Sequence, residues 1–275
     1  MKKFFTAVIL AVFILSAQIA TAADWNTVKH CNTKAELARW IEEGRQNGQK
    51  EFNFTLANSN VTADEMVTEI AIDSGGSLKS PLLGNYEYYT YYVNEYPGTN
   101  VANAYLSSNK YQAWLNLSAE EQKLYNIAVG IVNEANKRNS DLEKARYLHD
   151  EICRRTTYYT ERKRYYINEN GDYIRDKNGN RKIKSFATAI GVLNNGEYGQ
   201  SDCGGYSDAF YMLGRMCKLN VVRVGGGEHM WNAIKLDGKI YFIDVTWDDQ
   251  KNTYEFFNKS AEFFRKEHSW NYLAF

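Results

Sequence analysis

The stretch GQSDCGGYSDAFYMLGRMCKL, residues 199–219, puts Cys203 between Asp202 and two glycines at the point where an amphipathic helix begins. A disulfide half needs a partner and a core cysteine needs apolar neighbours; neither use asks for a helix N-terminus with bare backbone beside it. A reactive thiol does. The positive end of the helix dipole favours thiolate over thiol. Gly204 and Gly205 leave room for a substrate backbone, and their N–H groups are expected to serve as oxyanion donors. Tyr206, Phe210, Leu213 and Cys217 fall near helical spacing, so the helix packs one face on a sheet and keeps Cys203 at its tip.

A thiol nucleophile needs a base, and the base needs an orienting group. Of His30, His149, His229 and His268, His229 lies in GGGEHMWNAIKLDGKIYFIDVTWDD, which folds on paper. Asp237-Gly238 is a strong two-residue hairpin turn. Pairing Leu236 with Lys239 sets Trp231 opposite Asp244 and His229 opposite Thr246, with strands running to Val245 or beyond. These four residues then project from one face. His229 and Asp244 become diagonal neighbours, roughly 7–8 Å apart at the backbone, a gap that long side chains bridge. Asp244 holds the imidazole while its other nitrogen turns to Cys203. Taken singly, each residue has an ordinary use: a disulfide half, a packing histidine, a strand-ending aspartate. The constellation makes Cys203, His229 and Asp244 the candidate catalytic residues.

Capping boxes mark the helices that position these residues. Thr33-Lys34-Ala35-Glu36 opens one that stops near Gly44, and Thr62-Ala63-Asp64-Glu65 opens one carrying Met66, Val67 and Ile70. Phe52, Phe54 and Leu56 alternate as in a half-buried strand. NYEYYTYYVNEY is strongly strand-forming and is followed by VANAYL. Residues 23–112 therefore read as a small α/β domain, strands on one side and two helices covering them. Ser118 and Ser140 each open a long helix, a short helix falls near 185–193, and residues 113–275 form a second domain. Between the Ser140 helix and the short one, residues 161–184 carry eight Lys/Arg against four Asp/Glu, with Asn170-Gly171 and Asn178-Gly179 as hairpin signals. This segment reads as a solvated hairpin.

The 275 residues balance 33 basic against 33 acidic side chains, and 21 tyrosines with 19 glycines and two prolines make an ordinary globular composition. The first 22 residues show the charged, apolar, small-residue order of a secretory signal, with cleavage expected after Ala22. Its short length reads as bacterial and points to the periplasm or the outside. Its apolar run is too short to span a bilayer. Removing it takes away two lysines and leaves 31 basic against 33 acidic groups, which points away from nucleic acid. No membrane span is expected after signal removal. Of the four cysteines, none forms a CxxC pair; with Cys203 kept free at most one disulfide remains, and Cys153 and Cys217 suit apolar helix faces.

DCGGYSDAFYMLGRMCKLNVVRVGGGEHMWNAIKLDGKIYFIDVTWDD closely resembles the transglutaminase-like superfamily of papain-like fold. A Cys opens a helix, a His lies in an H-x-W-N-like strand, and an Asp lies in a vDvTWDD-like strand, in that order. ARYLHDEI and ATAIGVL resemble the family's lead-in, and the likeness covers about residues 118–250. It implies an α+β fold in which the Cys helix packs on an antiparallel sheet carrying the His and the Asp. It also implies a Cys-His-Asp triad at Cys203, His229 and Asp244, with a thioester acyl-enzyme. The implied substrate is a peptide or protein amide, with cell-wall or surface-associated material as a further candidate. Peptidase or amidase action is favoured; a crosslinking transamidase and an inactive binding module of the same fold remain alternatives.

No cofactor or metal is expected. His149 and Cys153, four apart on one helix, supply only two ligands beside an apolar face and read as core. Asp248-Asp249 is far short of a calcium site. Gly225-Gly226-Gly227 lacks the setting of a phosphate loop and is expected to let the segment before His229 flex over a cleft. Trp231 and Trp247 read as packing residues.

Overall fold

The computed structural model describes residues 27–58, 60–62, 65–70, 76–79, 82–83, 86–94, 96–159, 163–193, 199–271 and 273–275. The expected signal segment lies outside the described residues. The fold is a mixed α+β arrangement of several sheets and helices.

The N-terminal layer contains β1 (Lys29–Cys31), α1 (Lys34–Gln46), β2 (Glu51–Leu56), a π-helical turn over Glu65–Ile70, β3 (Ser77–Lys79), β4 (Leu82–Leu83), β5 (Tyr86–Glu87) and β6 (Tyr89–Tyr92). β1, β2, β6 and β3 form a four-stranded sheet in that order, with only the β1–β2 pair parallel. Phe52 and Phe54 pack against Leu37, Ala38 and Ile41 of α1, as the alternation in β2 requires. α1 ends near Gly44, as expected. It runs two residues further, and Gly44 is a close-approach position, since a Cβ there would collide with the Phe52 ring. Thr62 opens a π turn rather than an α-helix; Met66 and Ile70 are buried.

VANAYL belongs to neither the sheet nor its cover. Pro97, at the first helical position where its missing N–H costs nothing, starts α2 (Pro97–Leu106). Val101 and Ala102 of this helix pack with the second core, alongside Phe210 and Leu213. α3 (Lys110–Leu115) follows and buries none of its residues, while that core is built largely from α4 (Ala119–Ala135), α5 (Asp141–Arg155), α6 (Ala189–Leu193) and α7 (Cys203–Met216), with β7 (Thr156–Tyr158) paired in parallel to β8 (Gly199–Ser201). Ser118 makes a full capping box with Glu121, and Ser140 accepts the Glu143 N–H. β9 (Asn220–Gly226), β10 (His229–Leu236) and β11 (Lys239–Ile243) form an antiparallel sheet with β10 central, and α8 (Val245–Lys251) and α9 (Ala261–Phe264) follow.

α7 is the strut of this half, buried along nearly its whole length. Its Asp208 accepts the Gly98 N–H (3.1 Å) from α2 and the Ala189 N–H (3.0 Å) from α6, and pairs with Arg223 of β9. Arg223 also donates to Thr99 (2.8 Å). One carboxylate thus ties four elements together where water cannot replace any bond. Asp208→Ala leaves the buried Arg223 charge without its carboxylate and two buried amides without partners. It should cost about 3–5 kcal/mol, the usual penalty for breaking a buried pair, and urea denaturation monitored by tryptophan fluorescence measures it.

Candidate active site

Cys203 is the first residue of α7 and only 6% exposed. Asp202 caps the helix, its Oδ1 accepting from the Gly204 N–H (3.0 Å) and the Gly205 N–H (3.2 Å). The two amides expected to act as oxyanion donors are therefore already taken by the cap. Nor do the glycines clear space for a substrate. Added Cβ atoms would collide with the Arg164 guanidinium at Gly204 and with Ser201 Oγ at Gly205. Both positions are small because neighbouring side chains press against the helix tip.

The hairpin turn forms as its sequence requires, Asp237 at φ 49° and Gly238 at φ 78°, and the register runs from Leu236–Lys239 to Asn232–Ile243. There the ladder ends. Asp244 does not pair with Trp231, nor Thr246 with His229. The Asp244 N–H goes to Phe256 O (3.0 Å), and its side chain caps α8 by accepting the Trp247 N–H on Oδ1 (3.1 Å). An aspartate followed by seven residues of helix is a better cap than a strand residue. Asp244 nonetheless stands beside His229, with His229 Nε2 2.6 Å from Asp244 Oδ2.

His229 opens β10, and Cys203 is among the groups whose interaction favours its charged form. Its Nε2 is engaged by Asp244, which leaves Nδ1 as the nitrogen available to a nucleophile. The ring lies between Trp231 and Trp247, centroids 5.7 and 5.2 Å away and nearly parallel to both. β10 and α7 are locked together by Asn232, which donates to Ser207 O (3.1 Å), and by Ser207 Oγ, which donates to Trp231 O (2.8 Å). Burial opposes charge on His229, but its hydrogen bond to Asp244 and its interaction with Cys203 outweigh it and push the imidazole up to about 10. Burial likewise opposes charge on Asp244, and the hydrogen bonds from His229 and His268 hold its carboxyl below the ordinary range.

His268 plays no part in the hairpin reading. Its Nε2 lies 2.9 Å from the same Asp244 Oδ2, and its ring is enclosed by Trp231, Trp247 and Phe264. Its Nδ1 is buried without a hydrogen-bond partner among the described residues. The only hint in sequence is its aromatic company, Phe263, Phe264 and Trp270. The chain segment holding it crosses Gly226, where a Cβ would collide with Ser269 O. Gly225 and Gly226 are thus paired strand residues, with Gly227 in the turn, rather than a flexing cover.

His229, Asp244 and His268 are also the one metal-type cluster among the described residues, their ligand atoms within 4.8 Å of one another. The 2.6 and 2.9 Å contacts leave no space for an ion at zinc bond lengths of about 2.0–2.2 Å from each ligand. The donor set fits a hydrogen-bonded carboxylate. His149 sits buried between Asp150 Oδ1 (2.9 Å) and Asp248 Oδ2 (3.1 Å), while burial pushes the Cys153 thiol well up. No described cysteine is in a disulfide.

Residues 163–184 form a double-hairpin arm, with Gly171 and Gly179 at positive φ in its two turns. It is not merely a solvated face. Arg164 reaches into the site, where its Nε donates to Asp202 Oδ2 (3.0 Å), and Nη2 lies 3.7 Å from Cys203 Sγ. Tyr96 and Met230 pack against Cys203 from two other segments.

Among solved structures, the fold is similar to "Crystal structure of a TGase", at 15% identity and a TM-score of 0.36, covering 80% of this chain and 56% of that one. It is also similar to a "putative protease" from Parabacteroides distasonis, at 8% identity and a TM-score of 0.29, covering 70% of this chain and 40% of that one. The chain thus spans little more than half the length of the first and less of the second. No family model and no curated protein matches it. No helix among the described residues is long and apolar enough to cross a membrane.

A group whose pKa is higher in the folded than in the unfolded chain stabilises the fold at low pH. That contribution fades as pH rises from the ordinary imidazole value, about 6.5, toward the folded value. His229, at about 10 when folded, should make thermal stability fall between pH 7 and pH 10. His229→Gln should flatten that fall, measured as Tm against pH by differential scanning calorimetry.

Proposed function

We propose that the protein is a transglutaminase-like thiol enzyme, exported from a bacterial cell, that cleaves peptide or protein amides through Cys203, His229 and Asp244. The observation that carries this is His229 hydrogen-bonded to a fully buried carboxylate, its imidazole raised further by interaction with a cysteine at a helix N-terminus. An imidazole raised to about 10 keeps its proton through neutral pH, which suits a thiolate–imidazolium pair.

In this reading the Cys203 thiolate attacks the amide carbonyl carbon, forming the S–C bond as the C=O pair moves onto oxygen. Collapse of the tetrahedral adduct breaks the C–N bond, and His229 gives its proton to the departing amine. Neutral His229 then takes a proton from water, whose oxygen attacks the thioester. The acid leaves and the thiolate–imidazolium pair is restored. Asp244 holds one tautomer and orientation of the ring throughout, and Trp231 and Trp247 confine its plane. A lysine amine in place of water would make the same thioester an intermediate of transamidation.

Iodoacetamide labelling of Cys203 between pH 5 and 9, read by peptide mass spectrometry, tests the pair. Wild type should label fast well below the ordinary thiol pKa of about 8.5, and His229→Ala should label on the order of 100-fold more slowly at pH 6. Slow labelling indifferent to His229 would favour a binding module that keeps the fold without the chemistry.

A further inference from the structure

We propose that the Arg164 guanidinium is the oxyanion donor of this site, acting with the backbone N–H of Cys203; the inference rests on the thiol-enzyme reading above. An acyl-transfer site must supply hydrogen bonds where the carbonyl oxygen becomes charged, and that oxygen forms one bond from the carbon that joins Sγ. Its donors must therefore come from groups that already surround the sulfur. Gly204 and Gly205 are spent on Asp202. The N–H of Cys203, first in α7, has no partner within the helix. Tyr96 points its hydroxyl at Met230 Sδ, 3.8 Å away. Arg164 has Nη2 at 3.7 Å from Sγ, and it brings a positive charge that a backbone amide cannot.

The guanidinium is held for such a role. Its Nε is fixed by Asp202 Oδ2, so the planar fork has one orientation, with Nη1 toward Met230 Sδ (3.5 Å) and Nη2 toward Cys203. Gly204 is small where Nη2 lies. The Arg164 carbonyl accepts the Lys184 N–H (2.9 Å), which closes the base of the arm. The arm is pinned to the N-terminal layer by Asn180 donating to Val93 O (3.2 Å), Ser77 Oγ to Asn178 O (2.8 Å), and Asn94 to Arg181 O. Burial opposes the charge, but Tyr96, Asp202 and Cys203 hold it well above the ordinary range, so the group stays cationic as the oxyanion forms.

When the thiolate adds to the carbonyl, the C=O pair moves to oxygen and Nη2–H and the Cys203 N–H donate to it. No proton is transferred, and both bonds revert when the adduct collapses. Asp202 links the two parts, since one of its oxygens caps the helix bearing the thiol and the other aims the donor. Arg164 is thus assigned as a catalytic residue, and the N-terminal layer, through the arm, as its support.

Two reactions of the same sulfur separate this role from others. Acylation by p-nitrophenyl acetate passes through an oxyanion, whereas alkylation by iodoacetamide does not. Rates for wild type, Arg164→Gln, Arg164→Lys and His229→Ala would be followed by intact-protein mass spectrometry across pH 5–9, with circular dichroism to verify folding. Arg164→Gln should acylate about 100–1,000-fold more slowly while its plateau alkylation rate stays within about threefold of wild type. Arg164→Lys should recover about tenfold of the loss. Equal falls in both reactions would overturn the proposal and make Arg164 a support of the thiolate or of the fold. So would an unchanged acylation rate. Wild type that alkylates in a His229-dependent way but never acylates would overturn the oxyanion role and leave the thiol pair standing. Alkylation indifferent to His229 would instead remove the thiol-enzyme reading itself.

Discussion

A carboxylate with no access to water has to find its hydrogen bonds within the protein, and Asp244 finds three. Oδ1 takes the Trp247 amide, and Oδ2 takes both His229 and His268. Each donor fixes a different piece of chain. The amide starts α8 and so ends β11, the first imidazole fixes the beginning of β10, and the second brings the segment after α9 back over the sheet. Removing water raises the cost of the charge and, by the same low dielectric, the strength of each bond that offsets it. The geometry around His229 follows from satisfying this one group.

How far a residue could be read from sequence depends on how local its partners are. The Asp237-Gly238 turn needs only two residues able to adopt positive φ, and the register it dictates holds through Asn232–Ile243. Ser118 and Ser140 cap helices with groups three residues away, and these too were legible. The pattern fails where a local choice competes with another. The sequence pattern places Asp244 in a strand, whereas its side chain caps a helix and its N–H goes to Phe256 farther along the chain. Periodicity likewise left VANAYL undecided until Pro97 was seen at a helix start. Arg164 and His268 lie 39 and 24 residues from the groups they contact, Cys203 and Asp244, and no turn or cap rule spans such distances.

The glycines beside Cys203 carry a different lesson. Bare backbone at a helix tip suggests exposed donors, but a capping carboxylate one residue upstream competes for those donors. Asp202 wins because its side chain is tethered and pays little entropy to reach Gly204 and Gly205. The space left by the missing side chain at Gly204 is then filled from outside the motif, by a guanidinium that the same Asp202 attracts. A Cys-Gly-Gly reading taken alone therefore finds the nucleophile and misplaces its electrostatic partner.

Three positive influences converge on one sulfur: the N-terminus of α7, the raised imidazole of His229, and the Arg164 guanidinium. Left uncompensated they would repel one another in a site that excludes water. Asp202 lies between the first and third, and Asp244 stands behind the second, so two carboxylates between them face all three positive groups. Because both carboxylates are also helix caps, the charges cannot move without unwinding the first turn of α7 or α8. The electrostatics of the site and the ends of its two helices are in this sense one constraint. The thiol can then meet incoming negative charge with groups that need not reorganise to receive it.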